Sequence, residues 1–133
     1  MITKKEIIRL AQERGACEGG IEWYSKRPKR ALLTWEAIML GYFEWVGRYI
    51  PEALPYLKTL PEHIKERALI CPCYYAMLSM ALIGYRLDVL KDDIHPWVRQ
   101  IIAERGYALE QLKDDPDELV RGVARDKLTE MQT

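Results

Sequence analysis

The stretch GYRLDVLKDDIHPWVR, Gly84–Arg99, decides how this chain is read, because it is written a second time as GYALEQLKDDPDELVR, Gly106–Arg121. The offset is 22 residues, nine of sixteen positions are identical, and Asp88 against Glu110 adds a match in charge. Self-similarity at a short fixed period marks a tandem of supersecondary units that bury their apolar faces against one another. Each unit reads as two helices. The glycine ends the preceding helix, since it takes left-handed backbone cheaply. Leu87 and Leu90, or Leu109 and Leu112, form the buried face of a short first helix. The Asp-Asp pair is expected to cap a second helix, whose positive N-terminus favours acids. Val98, Ile101 and Ile102, or Val120, Val123 and Ala124, supply that helix's inner face.

The text VRQIIAERGYALEQLKDDPDELVRGVARD resembles the HEAT-like and leucine-rich-variant repeat families. That resemblance implies paired short helices stacked into a right-handed array, in families that mostly bind macromolecules along a concave face. Only two units are evident. LPYLKTLPEHIKER, Leu54–Arg67, keeps the leucine spacing of a degenerate third.

Outward from the repeat, the chain reads as helices throughout, and the fold class is all-α. No run alternates apolar and polar residues, and no Asn-Gly or Asp-Gly hairpin turn appears. Thr3 with Glu6 forms a capping box for a helix over Lys4–Arg14, and Gly15 stops it. A short helix or turn follows over Cys17–Tyr24. Ala31, Leu32, Trp35, Ile38 and Met39 predict a helix over about Arg30–Leu40. Gly41 then permits a break before an aromatic-rich helix that ends at Pro51. Pro51, Pro55, Pro61 and Pro72 punctuate the middle into helices over 52–59, Pro61–Ile70 and Pro72–Ile83. The last is apolar all round and is expected to be the most buried element. The sequence predicts one domain over 1–133, with an aromatic-rich half at 1–50, proline-punctuated helices at 51–83 and the tandem at 84–133.

Composition narrows the function. Twenty basic groups balance twenty acidic ones among 133 residues, which argues against a chain built to coat nucleic acid. Residues 1–50 carry a balance of +3 and residues 84–133 one of −3, so the two ends suit different partners, or each other in a homo-oligomer. Three cysteines make a poor disulfide framework and suit a reducing cytoplasm. The N-terminus lacks the apolar run of a signal peptide. Ala68–Tyr85 is 18 residues without a charge, but its Pro72, Ser79, Gly84 and three tyrosines read as a buried helix rather than a membrane span.

Ala16, Cys17, Gly20, Glu22, Trp23, Trp35 and Trp45 make an AC-G-EW segment followed by an aromatic helix. This pattern is similar to uncharacterised small proteins of phages and prophages. The resemblance implies a phage-encoded accessory protein, located in the host cytoplasm, and transfers no catalytic role.

The residues leave several chemistries to weigh. Cys17, Cys71 and Cys73 with His63 would make a zinc set, but the spacing is CxC without a second pair, and packed cysteine is the plainer reading. Cys17 near a helix start is a candidate thiol nucleophile, with no base assignable beside it. Glu18, Glu22, Glu36 and Glu44 offer carboxylates for acid–base work, with nothing to pair them. Lys26, Arg27, Lys29 and Arg30 flank Pro28 beside Trp23 and Tyr24, a pattern that can bind phosphate, stack bases or meet an acidic protein. Trp97 is the best surface candidate among the four tryptophans. Its counterpart Leu119 makes the slot apolar and compatible with an inward face.

No complete catalytic motif, phosphate loop or cofactor signature is present. The favoured reading is therefore a non-enzymatic helical protein–protein interaction module, without a cofactor, that acts on a host protein or ribonucleoprotein complex. The phage resemblance extends this to inhibition of a host defence complex, for example as an anti-CRISPR. Two alternatives stand beside it: a nucleic-acid binder using the 26–30 loop, and a metal- or thiol-dependent enzyme around Cys17, Cys71 and Cys73.

Overall fold

The computed structural model describes residues 1–71 and 73–132, so the expected helix start at Pro72 lies outside the described residues. Among those residues every regular element is helical: α1 (Lys4–Glu13), α2 (Glu18–Ser25), α3 (Trp35–Met39), α4 (Tyr42–Tyr49), α5 (Leu54–Leu57), α6 (Glu62–Ile70), α7 (Tyr74–Ile83), α8 (Leu87–Leu90), α9 (Pro96–Glu104), α10 (Leu109–Leu112) and α11 (Glu118–Gln132), with 3-10 turns at Lys29–Leu33 and Pro51–Ala53. They gather into two compact units, Met1–Ser79 and Met80–Thr133. The division falls inside α7 rather than at Gly84.

In the first unit, the Thr3 hydroxyl accepts the Glu6 N–H at 3.1 Å and donates to the Glu6 carboxylate at 3.0 Å, starting α1. Gly15, at φ +68°, ends it, and Ile7 and Ala11 face the core. The single helix predicted over Arg30–Leu40 is instead broken in two. Thr34 is extended, and its Oγ1 accepts the Ala37 N–H at 3.1 Å, so it caps α3 instead of lying inside a longer helix. Apolar spacing that ran unbroken across the cap hid this in the sequence. The helix expected over 52–59 is likewise the 3-10 turn at Pro51–Ala53 followed by the single turn of α5. Helix α4 packs on α3, α5 and both 3-10 turns, and Leu32, Ile38, Phe43, Val46, Ile50 and Leu57 are fully buried. Arg14 ties the end of α1 to this frame. It donates to the Tyr49 carbonyl at 2.8 Å and grips the Glu52 carboxylate with both ends of its guanidinium, which holds that carboxyl down at about 2.

In the second unit, local geometry recurs at the spacing of the sequence repeat. Gly84 and Gly106 sit at φ +76° and +77°, and two residues on Arg86 and Ala108 are also left-handed, at φ +53° and +55°. Tyr85 N–H bonds the Met80 carbonyl at 2.9 Å, and Tyr107 N–H bonds Ile102 at 3.2 Å. The last turn of α7 therefore stands where the last turn of α9 stands 22 residues later. Met80 and Ala81 are buried as Ile102 and Ala103 are, which is why the unit begins before Gly84.

The turn after the short helix also recurs, and it corrects the capping role expected of the Asp-Asp pair. Asp93 Oδ1 accepts the His95 N–H, and Asp115 Oδ1 accepts the Asp117 N–H, both at 2.9 Å. These are Asx turns that lead into the helix. In the second copy the cap is Asp117, which takes the Val120 N–H at 3.0 Å. Arg99 and Arg121 each donate back to the carbonyl of their own turn, at Asp93 (2.7 Å) and Asp115 (2.9 Å). Arg99 also donates Nε to Asp115 Oδ2 at 2.8 Å and Nη2 to Oδ1 at 3.0 Å. A planar fork thus joins α9 to the turn before α11. Val98, Ile102, Val120 and Ala124 close the space between.

Two tests follow. No neighbour lies within 4 Å of a Cβ built on Gly106, so Gly106→Ala meets backbone strain alone and is expected to cost about 1 kcal/mol in urea unfolding. Ala108→Gly relieves such strain and should gain about 0.5 kcal/mol; an equal loss from both substitutions would contradict the left-handed turn. Asp115→Ala, which strands a largely buried guanidinium, should cost about 3 kcal/mol. Burial acts to raise the Asp115 carboxyl, but the bonds from Arg99 and the Asp117 N–H outweigh it and hold the group below its usual range. Its contribution is therefore complete above the ordinary carboxylate range and fades as pH falls through the lowered value. The gap between wild type and Asp115→Ala should narrow in acid.

Candidate functional site

The basic loop is the first place to look, and the structure turns two of its four cations, Arg27 and Lys29, onto its own carbonyls and rings. Lys26 pairs with Glu22 at 2.9 Å. Arg27 donates to the Trp23 carbonyl at 2.8 Å and lays its guanidinium over the Trp23 ring, 4.4 Å from the centroid. Tyr42 packs against the same indole at 4.9 Å. Lys29 donates to the Ile2 carbonyl and stands 4.1 Å above the Tyr56 ring. Tyr24 is buried, which removes it from the candidate surface. Of the loop's cations, Lys26 and Arg30 stay exposed. Aromatic faces available for stacking and cations directed to solvent are what a base-binding platform needs; here Arg27 covers the Trp23 ring and Lys29 the Tyr56 ring.

The tandem presents a different surface. Trp97 is 43% exposed and Leu119 is 69% exposed, so the shared slot at the start of α9 and α11 faces outward, correcting the inward possibility. Ile94, in the turn ahead of α9, is 85% exposed. The sequence did not single out Ile94, although an isoleucine between an Asp-Asp pair and a proline has no packing reason to be apolar. Exposed Asp92, Asp114 and Glu118 stand in the same turns and first helical turn. The surface is apolar with acidic company.

A third feature lies in the first unit. Cys17, Tyr42, Glu44, Trp45, Arg48 and Tyr75, with Leu40 and Gly41, line a pocket of about 200 Å³. The glycines seat its rings. A Cβ on Gly20 would stand 3.3 Å from the Tyr42 ring, and one on Gly41, where φ is +82°, 3.1 Å from Tyr75. Glu44 is only 2% exposed. Arg48 Nη2 lies 2.9 Å from its Oε1 and donates to Oε2 at 3.3 Å, but Oε1 receives no aligned hydrogen bond. Burial pushes the Glu44 carboxyl above its usual range, and the Arg48 charge offsets only part of this. Of the four glutamates weighed from the sequence, Glu44 is the buried one, and Cys17 opens onto the same cavity; Glu18 and Glu22 line a separate pocket with Gln12, Gly15 and Ser25.

The zinc set does not assemble. Among the described residues no group of three His, Cys, Asp or Glu side chains is arranged to hold a metal ion, so Cys17, Cys71, Cys73 and His63 do not come together as one. Cys17 is exposed, and Cys71 and Cys73 are half-buried thiols. Among the described residues no helix is long and apolar enough to cross a membrane. Buried Ala76–Ala81 belong to the ten-residue α7.

Comparison with protein-family models, curated proteins and solved structures gave no match.

The strain at Glu44 is testable. A carboxyl whose value is raised by folding favours the folded state below its unfolded value, and that contribution is lost as pH rises through the folded value. Glu44→Gln should therefore be more stable than wild type near pH 7, with the advantage shrinking in acid. A melting series in which Glu44→Gln is less stable at neutral pH would show the Arg48 pair to outweigh the burial.

Proposed function

We propose that the chain is a non-enzymatic helical interaction module whose binding surface is the outward apolar slot of its tandem. The observation that carries this reading is the pairing of Trp97 with Leu119, large apolar side chains exposed at equivalent positions of consecutive units. A folded chain gains nothing by exposing the same apolar slot twice, whereas a binding surface gains a repeated anchor. Ile94 extends that anchor. The acidic residues around it and the −3 balance of residues 84–133 suit a partner whose apolar patch is ringed by basic groups.

The HEAT-like resemblance supports the same class of role, since such arrays mostly serve macromolecular binding. The phage-like pattern around Cys17, Trp23, Trp35 and Trp45 points to a host protein or ribonucleoprotein as partner. Its narrowest form is inhibition of a host defence complex. The engagement of Arg27 and Lys29 by the protein's own carbonyls and rings counts against the nucleic-acid alternative.

A tagged pull-down from host lysate, with and without nuclease, tests the proposal. A stoichiometric protein retained after nuclease and lost with the Trp97→Ala, Leu119→Ala pair supports it. The expected weakening is about 2 kcal/mol or more. Leu119→Ala alone should leave folding stability within about 0.5 kcal/mol of wild type. Capture of nucleic acid only, or retention of the partner by the double variant, would contradict it.

A further inference from the structure

The tandem supplies its own template for a contact that it leaves unfilled. In the first copy, Arg99 divides its guanidinium in two. Nη1 donates to the Asp93 carbonyl of its own turn at 2.7 Å, while Nε and Nη2 fork the Asp115 carboxylate of the next turn at 2.8 and 3.0 Å. In the second copy, Arg121 repeats only the first half: its Nη1 donates to the Asp115 and Pro116 carbonyls at 2.9 and 3.0 Å. Among the described residues its Nε and Nη2 carry no hydrogen bond, and it forms no ion pair. The side chain is half-buried, and neither nitrogen is sealed from solvent. We infer that this edge of Arg121 is a docking point for an aspartate that opens a tight turn in a partner protein.

The course of the helices explains why the edge is open. After α9 the chain turns at Gly106, and Asp115 comes back onto Arg99. The position equivalent to Gly106 in α11 is Leu128, and the helix runs on through Gln132. Within these residues no third turn folds over Arg121. Ala103 on α9 is fully buried, whereas its counterpart Arg125 on α11 is exposed. Nothing lies within 4 Å of a Cβ built on Gly122, so the approach beside Arg121 is clear. Arg125, one turn further along, puts its Nε on the Lys113 carbonyl and stands 3.9 Å from Asp114, which leaves the fork to Arg121.

The template also names the occupant. Two parallel N–H groups on a planar edge match the two oxygens of a carboxylate. The filled copy shows which carboxylate fits: an aspartate whose Oδ1 also takes the N–H two residues on, at 2.9 Å. Arg121 and Leu119 are two residues apart and so lie on nearly opposite sides of α11. The contact is therefore separate from the outward apolar slot.

The probe is a blocked peptide with the text of Lys113–Leu119, KDDPDEL, titrated to millimolar concentration into the nitrogen-labelled full chain. The side-chain Nε–H resonances of Arg121 and Arg99 are read together by NMR. Arg121 is expected to shift saturably toward the position of Arg99, whose Nε is already bonded, while Arg99 stays still. The Asp115→Asn version of the peptide keeps the turn and loses the charge, and should bind about tenfold more weakly. In the protein, Arg121→Lys keeps the charge and loses the fork; the same weakening is expected, read on the backbone amides of 121–125. If Arg121→Lys fails to fold, the substituted peptide carries the test without altering the protein. No saturable shift of Arg121, an equal response to the substituted peptide, or an equal response to acetate or inorganic phosphate would each overturn the proposal.

Discussion

The fork between Arg99 and Asp115 is the interaction on which the second unit depends. Asp115 is buried and charged, and both of its oxygens are engaged: each takes one bond from Arg99 of the helix before it, and Oδ1 takes a second from the Asp117 N–H. A buried carboxylate persists only when so paired. Twenty-two residues earlier the same turn meets a different neighbour. Met77 stands where a preceding arginine would be, and Asp93 instead holds the His95 ring nitrogen at 2.9 Å. At the other end, Arg121 spends one guanidinium nitrogen on the Asp115 and Pro116 carbonyls. The turn is made twice, but the link between turns is made once. It fixes α9 against α11, buries Val98, Ile102, Val120 and Ala124, and leaves Trp97 and Leu119 pointing away.

The repeat, the helical class and the helix starts with a side-chain cap at Thr3 were legible because each rests on local chemistry: a period, a spacing, a capping box. The buried character of α7 was legible because no face of it carries a charge. What the sequence concealed was set by geometry. Thr34 reads as one polar residue in an apolar pattern until its hydroxyl is seen on the Ala37 N–H. The Asp-Asp pair suggests a cap, whereas the second aspartate turns the chain two residues early. Arg86 and Ala108 give no sign of left-handed backbone, since neither is a glycine. The boundary of the second compact unit at Met80 was hidden because buried equivalence, unlike sequence identity, does not require the same letters.

The candidate sites divide on a similar line. A cluster of cations beside aromatics is an ambiguous signal, because cations and rings satisfy each other as readily as they satisfy a ligand; Arg27 on Trp23 and Lys29 on Tyr56 are that outcome. Arg67 over Trp35 at 4.3 Å is another. Glu44 gave the opposite error. It read as one acid on a solvated helix face, whereas it is buried at a pocket it shares with Tyr42, Trp45 and Tyr75. The repeat slot at 97 and 119 stood out in the sequence but could not be assigned a direction, because an apolar residue at a helix start suits a core and a binding surface equally.

The most direct test of the account is native-state hydrogen exchange on the full chain, resolved to single amides in the second unit. If the Arg99 fork couples the two copies, the amides of Ile101–Ala103 in α9 and those of Val120–Ala124 in α11 open with the same free energy, as one cooperative unit. Exchange of the α11 amides far ahead of those in α9 would show the copies to be independent, and would contradict the claim that one buried ion pair builds the surface they share.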